Sequence, residues 1–343
     1  MKIFIDPRCR ISYASYYIKG FLSIVGKSNL KFDDKLFQKT NLYENKIDYN
    51  KGMVIIAKDK SCIKKNFIDF DDSNSISEKH YTWADVYAKI NVKKHDLETY
   101  NKLLAIGPSF GINILNLNSV FIWIKLLFIK NKPVGIAEYL KDYIYMQIRR
   151  RPYKEYLGSK TESNYIFSIS TLWYDTLTDK TTNTFRGTFF NLCKKKFNKV
   201  EGGFFYIENE NILKEFPQYS KYKILYKDFI LTERISPSEY LEKTKRTAIV
   251  FNTPSVLGCH GWKLAEYFAM GKAIISTGLN NEMPENLLET DKIIIVDNDK
   301  QMEEAIDLLK GNVDMRESME KQASSYFKKH LSPEAVVEKI LKR

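Results

Sequence analysis

At 343 residues, with 44% apolar and 28% charged side chains, the chain has the length for two α/β domains and a composition that excludes disorder. A net charge of +12 points to nucleic acid, an anionic membrane surface or a polyanionic small molecule as partner. Zinc-ligand spacing, RNP-type aromatic strands and a basic region leading into heptads are all missing, which sets nucleic acid aside. Cys9, Cys62, Cys193 and Cys259 form no C-x-x-C pair, which argues against a structural metal and for a reducing compartment. The N-terminus MKIFIDPRC is too short and polar for a signal peptide, and no run of about eighteen apolar residues offers a membrane span, so a cytoplasmic location is expected.

Lys2 to Asp6 (KIFID) reads as a first strand ended by Pro7, and Ser15 to Gly26 has helical spacing. Arg8 and Arg10 fall in the loop after that strand, at the edge where α/β sheets bind ligands, and are candidates to meet an anionic acceptor. Two solvated arginines are the plain alternative. GMVIIA (52–57) and NFIDF (66–70) read as further buried strands. The segment after them packs Asp69, Asp71, Asp72, His80 and Asp85 into seventeen residues. A general base for a hydroxyl must be a carboxylate or imidazole within hydrogen-bond reach, so Asp69, Asp72, His80 and Asp85 are the candidates for one base. Against this, aspartates after a strand are common turn and capping residues. The spacing fits no metal-ion loop. AIGPSFG (105–111) reads as another strand that ends in a turn, with Ser109 at the ligand edge.

VFIWIKLLFI (120–129) is the most hydrophobic run. With Lys125, Lys130 and Lys132, and then Lys141, Arg149, Arg150, Arg151 and Lys154 among the tyrosines of 139–156, it forms a basic, aromatic-rich patch suited to an anionic lipid surface. A core helix followed by a solvated one is the alternative. Arg151-Pro152 breaks the helical pattern, and the polar LGSKTESN (157–164) reads as a linker. The expected division is therefore 1–156, a linker at 157–164, a second domain at 165–315, and helices at 316–343 that cross back to the first domain.

The second domain opens with the β-rich YIFSISTL (165–172), then a polar loop (175–183) and a helix from Thr184 to Lys196 with Arg186 in its first turn. Arginine there sits badly with the helix dipole unless an anion is near. VEGGFFYI (200–207) is a strand. Ser236-Pro237-Ser238-Glu239 reads as a capping box with Pro at the first helical position.

The stretch from Arg246 to Thr277 then reads strand, loop, helix, strand. Gly258 and Gly261 flank Cys259 and His260 in the loop. Trp262 to Met270 is the helix, Gly271 its left-handed cap, and KAIIST the next strand. On a helical wheel Leu264, Ala265, Phe268 and Ala269 share one face, with Lys263, Glu266 and Tyr267 opposite. Lys263 and Glu266 would project beside a helix N-terminus whose free N–H groups suit a phosphate. A surface ion pair is the plain alternative, worth a few tenths of a kcal/mol.

KLAEYFAMGKAII (263–275) resembles the donor-site helix of GT-B glycosyltransferases, K-L-x-E-Y-x-A-x-G-K-P-[IV]-[IV]. The resemblance is close over about fifteen residues and loose over the C-terminal half. It implies an α/β fold of two Rossmann-like domains facing a central cleft. It implies a nucleotide-sugar donor whose diphosphate meets Lys263 and Arg186 and whose ribose meets Glu266, in a pocket lined by Thr253, Ser255, His260 and Gly261. Many retaining members carry two glutamates eight positions apart. Glu266 takes the second position and Gly258 the first, so the stereochemical course stays open. Neither a cofactor nor a metal is expected. The activity so implied is transfer of a sugar to a glycan, in particular a lipid-linked one, in surface polysaccharide synthesis on the inner face of the plasma membrane. A nucleotide-sugar epimerase of the same fold and a non-catalytic nucleotide- or glycan-binding protein are the alternatives.

Overall fold

A computed structural model describes every residue except 39, 61, 115–124, 175–177, 286 and 288–291. Positions 120–124 of the hydrophobic run, and 175–177 of the loop after the second domain's first strand, thus lie outside the described residues. The chain divides into two units. Unit one holds Met1–Glu155, Asn281–Glu285 and Lys328–Arg343; unit two holds Tyr156–Asn280 and Asn286–Phe327. Residues 316–327 thus lie with unit two and 328–343 with unit one.

Unit one is built on β1 (Lys2–Ile5), β2 (Leu30–Phe32), β3 (Gly52–Asp59), β4 (Cys62–Asp69), β5 (Val86–Lys89) and β6 (Leu103–Ala105), in the order β2-β1-β3-β4-β5-β6. β3 runs antiparallel to β1 and β4, while the remaining neighbours are parallel. The two runs read as separate strands are arms of one hairpin, with Asp59 opposite Cys62. A connection that short can join only antiparallel strands. The lysines at 58, 60, 64 and 65 hide the strand because they interrupt its apolar pattern. The expected strand over 105–111 is confined to β6 and ends at Ala105.

Unit two carries β7 (Tyr165–Thr171), β8 (Lys199–Phe205), β9 (Ile249–Asn252), β10 (Ala273–Ser276) and β11 (Ile294–Ile295), and its paired strands are parallel. β7 lies against β9, with Ala248 N donating to Tyr165 O at 2.8 Å. The strands therefore stand side by side as β8-β7-β9-β10-β11. This is a Rossmann-like, doubly wound order in which the connection reverses between β7 and β9.

The helices in chain order are α1 (Ile11–Val25), α2 (Lys46–Lys51), α3 (Glu78–Trp83), α4 (Lys94–Thr99), α5 (Ile136–Arg149), α6 (Thr182–Lys196), α7 (Glu210–Glu215), α8 (Ser220–Leu225), α9 (Pro237–Arg246), α10 (Trp262–Met270), α11 (Asp299–Gly311), α12 (Val313–Tyr326) and α13 (Pro333–Lys342). No described helix is long and apolar enough to cross a membrane. Ser236 caps α9 by accepting from Glu239 N at 3.2 Å. The reciprocal half of the capping box is absent, because the Glu239 carboxylate pairs with Lys243 at 2.9 Å, one turn on. α10 ends at Gly271, whose φ of 63° and ψ of 58° are left-handed, and Lys272 N returns to Tyr267 O at 3.0 Å.

α13 closes unit one by packing on α1, and Tyr16 Oη donates to Leu331 O at 2.5 Å. Their close approach depends on Gly20. A Cβ there would sit 2.2 Å from Pro333 O and 2.7 Å from Val337 Cγ2. Gly20→Ala should therefore separate the two helices and cost about 1–3 kcal/mol. Calorimetry should show unit one melting several degrees lower; an unchanged profile would mean that α1 and α13 do not pack this tightly.

Candidate functional site

In a doubly wound sheet the crevice outside the carboxyl ends of the strands, where the connection reverses, is the ligand position. Here that point is defined by Thr171, the last residue of β7, and Asn252, the last of β9. A cleft of ≈ 170 Å³ opens there, lined by Ser170, Thr171, Trp173, Arg186, Phe251, Asn252, Thr253, Ser255, Gly261, Trp262 and Lys263. Gly261 is the N-cap of α10 and offers no side chain to the first N–H groups, and Leu264 N donates to Gly261 O at 3.1 Å. The preceding loop folds on itself through Gly258 N to Ser255 O at 3.0 Å and Ser255 N to Cys259 O at 2.9 Å. Leu257 and Gly258 are both left-handed within it, at φ 55° and 71°.

Two cations share this cleft. Arg186 donates to Thr171 O at 2.7 Å and, through Nε and Nη2, to Thr253 Oγ1 at 3.0 and 2.8 Å. Lys263 Nζ donates to Ile169 O. Neither forms an ion pair among the described residues. Burial lowers Arg186 to about 10. Burial, and then the neighbouring Arg186, lower Lys263 to about 8, with Glu266 pulling the other way. Two desolvated like charges held by neutral oxygens are stable together only at a cost, and an anion between them removes it.

The other expected donor residues fall differently around this pair. Arg186 is the fifth residue of α6, because the helix starts at Thr182 instead of Thr184. Thr253, Ser255 and Gly261 line the cleft, whereas His260 is buried and is not among its lining residues. Glu266 lies near enough to Lys263 to raise its pKa but is itself buried. α10 is enclosed from Leu264 to Met270, and the buried Glu266 carboxylate accepts from Tyr240 Oη of α9 at 2.7 Å. The wheel assumed one solvated face, and α9 covers it.

Trp173 and Trp262 were not singled out as site residues, yet both line the cleft. Asn183 brackets the Trp173 backbone, accepting from its N at 3.1 Å and donating to its O at 2.6 Å. The signal was available, since Trp173 follows the first strand of the unit by two residues and Trp262 opens α10.

Unit one handles its charges in the opposite way. Arg8 is buried and paired with Asp6 at 2.7 Å. Arg10 bonds Asp142 at 3.3 Å and Asn50 Oδ1 at 3.1 Å. Ser109 accepts from Tyr17 Oη at 3.0 Å. Asp69 is fully buried, with Lys89 Nζ at 3.0 Å and Tyr87 Oη at 2.5 Å; burial raises its pKa and Lys89 opposes that. His80 cannot serve as a solvent-facing base. It is buried against Phe67, its Nδ1 meets Ser77 Oγ at 2.7 Å, its Nε2 meets Leu42 O at 3.0 Å, and burial lowers its pKa to about 4. Asp85 precedes β5 and accepts from Lys65 N at 2.8 Å, at the strand end opposite Asp69. With four residues of strand between them, the two lie roughly 13 Å apart. Among the four candidate bases, Asp72 alone is both exposed and at the carboxyl edge of the sheet.

Residues 213–342 match the family model described as glycosyl transferase-like. The matched residues carry α10 with Lys263 and Glu266. Comparison with curated proteins returns no match. Among solved structures, a glycosyltransferase from Rickettsia africae is 14% identical over 80% of this chain and 69% of that one, at a TM-score of 0.43. The C-terminal domain of the group 1 glycosyl transferase LpcC from Francisella tularensis is 15% identical over 51% and 88%, at 0.34. WaaG, a glycosyltransferase involved in lipopolysaccharide biosynthesis, is 11% identical over 80% and 74%, at 0.40. Likenesses this distant leave the activity to be argued from the site itself.

Two outcomes are expected. As pH rises through about 8, Lys263 loses its charge, so an anion held there, with inorganic diphosphate as the probe, should bind up to about tenfold more weakly at pH 9 than at pH 7. Lys263→Met should remove that dependence, as titration calorimetry would show. Stability has the opposite sign: between about 8 and the ordinary 10.5 the folded lysine holds fewer protons than the unfolded one, so its contribution rises with pH. In unit one, Lys89→Met leaves the Asp69 carboxylate buried and unpaired, at a cost of about 3–5 kcal/mol in urea unfolding. Adding Asp69→Leu should recover most of that loss.

Proposed function

We propose that the chain is a glycosyltransferase whose nucleotide diphosphate sugar binds in the cleft of unit two. The observation that carries this reading is the pair of desolvated cations, Arg186 and Lys263, neither in an ion pair among the described residues, beside the N-terminus of α10, which has no side-chain cap. A diphosphate supplies the missing negative charge, and its oxygens would accept from Arg186, Lys263 and the first N–H groups of the helix. Trp173 and Trp262 offer flat apolar faces for the base or the sugar. In the transfer, the bond between the sugar C1 and the distal phosphate oxygen breaks and an acceptor hydroxyl oxygen bonds to C1. The hydroxyl proton passes to a base, and the nucleoside diphosphate leaves. Fixed positive charge at the leaving oxygen stabilises the developing anion, so Arg186 and Lys263 would do work that a metal ion does elsewhere. Glu266, held by Tyr240, lies close enough to Lys263 to raise its pKa and is the candidate for the ribose hydroxyls. The acceptor proposed is a glycan, in particular a lipid-linked one used in surface polysaccharide synthesis, and the reaction would take place on the cytoplasmic side.

Thermal unfolding against UDP-, GDP-, CMP- and dTDP-sugars tests the site. The correct donor at a hundred times its Kd should add about 2.7 kcal/mol. Lys263→Ala and Arg186→Ala should each abolish the shift while remaining folded. If no nucleotide sugar shifts the folded protein, the donor assignment fails.

A further inference from the structure

We infer that α5 of unit one is a docking surface for an anionic lipid bilayer. The inference stands apart from the donor site and does not depend on it. At about 100° per residue, α5 divides into three sectors. Tyr139, Asp142 and Met146 are buried and form the core face. Leu140, Ile144 and Ile148 succeed one another at four-residue spacing and are 45%, 44% and 65% exposed, with exposed Ala137 among them. Lys141, Tyr145 and Arg149 fall on the adjoining sector. A soluble helix has one apolar face; this one has a second, bordered by cations, which is the pattern of a helix lying in a membrane interface.

The charges on the helix agree with that partner. Its two carboxylates are both engaged: Asp142 is buried against Ser12 and Arg10, and Glu138 pairs with Lys46 at 3.3 Å. Lys141 and Arg149 form no ion pair among the described residues. The Arg150 guanidinium stacks 5.5 Å over the Tyr145 ring, which joins an aromatic body to a cationic head. Arg151, expected in the basic patch, is instead tied to Glu155 at 2.8 Å and does not contribute. The described residues before α5 repeat the motif: Leu127 and Phe128 are exposed between exposed Lys125 and Lys130, with Phe128 at 80%. Exposed aliphatic and aromatic groups ringed by cations suit a bilayer carrying anionic headgroups better than they suit a folded protein with a neutral surface.

Co-sedimentation of the full chain with vesicles of equal phosphatidylglycerol and phosphatidylcholine, against phosphatidylcholine alone, tests the inference. The protein should partition onto the anionic vesicles and release at high salt. Ile144→Glu with Ile148→Glu should reduce partitioning at least tenfold with an unchanged melting temperature, since both side chains are exposed. Lys141→Glu with Arg149→Glu should weaken it by about fivefold per cation and flatten the salt dependence. Failure of the parent chain to bind anionic vesicles would overturn the inference, as would equal binding by both variants. So would a parent dimer that Ile148→Glu converts to monomer without change in vesicle binding, which would make a second copy the occupant.

Discussion

The constraint on which unit two depends is electrostatic. Arg186 and Lys263 stand together at the carboxyl edge of β7 and β9, partly withdrawn from water, and the protein gives them only neutral oxygens. Burial and then Arg186 lower the basicity of Lys263, which titrates near about 8. The fold holds the arrangement by spending its strongest elements there. The parallel strands fix the carbonyls of Ile169 and Thr171, α6 is aligned so that one arginine reaches Thr253, and α10 turns its N-terminus toward the same point. An arrangement of this kind is preorganised for negative charge before any ligand arrives.

Unit one shows what the same chain does when it closes its charges internally. Asp6 with Arg8, and Asp69 with Lys89 and Tyr87, are buried and paired at the carboxyl ends of their strands. Breaking such a pair exposes a buried charge to nothing, so these groups act first on stability and rigidity. The contrast between these buried pairs and the cations Arg186 and Lys263 supports the proposed anion site without recourse to any resemblance.

How far this was legible in the sequence follows from which signals are local. α10 and its glycine cap were readable because helix length, apolar spacing and a left-handed Gly271 are all set within ten residues. The place of Lys263 in the first turn of that helix was readable for the same reason. The fate of Glu266 was not, because it depends on Tyr240, twenty-six residues earlier, packing over the face that the wheel left to solvent. His80 misled because a histidine among aspartates looks reactive on paper. Only the fold reveals the Phe67 ring, the Ser77 hydroxyl and the Leu42 carbonyl that enclose it. The β3–β4 hairpin was missed because its lysines break the apolar run, while the pairing that makes it a strand is supplied by the partner arm.

The route of the chain through unit one has a consequence for how the protein is made. β1 to β6 leave the ribosome early, but the helix that covers α1 is drawn from residues 333–342, after all of unit two has been synthesised. Unit two, apart from 281–285 a single stretch, can therefore reach its native state while its older neighbour is still open. During that interval the face of α1 around Gly20, with Tyr16 whose hydroxyl waits for Leu331, is an uncovered apolar surface on a nascent chain. The face of α1 is thus sealed only once residues 333–342 have been translated, and chaperone capture or misassembly during synthesis would concentrate there.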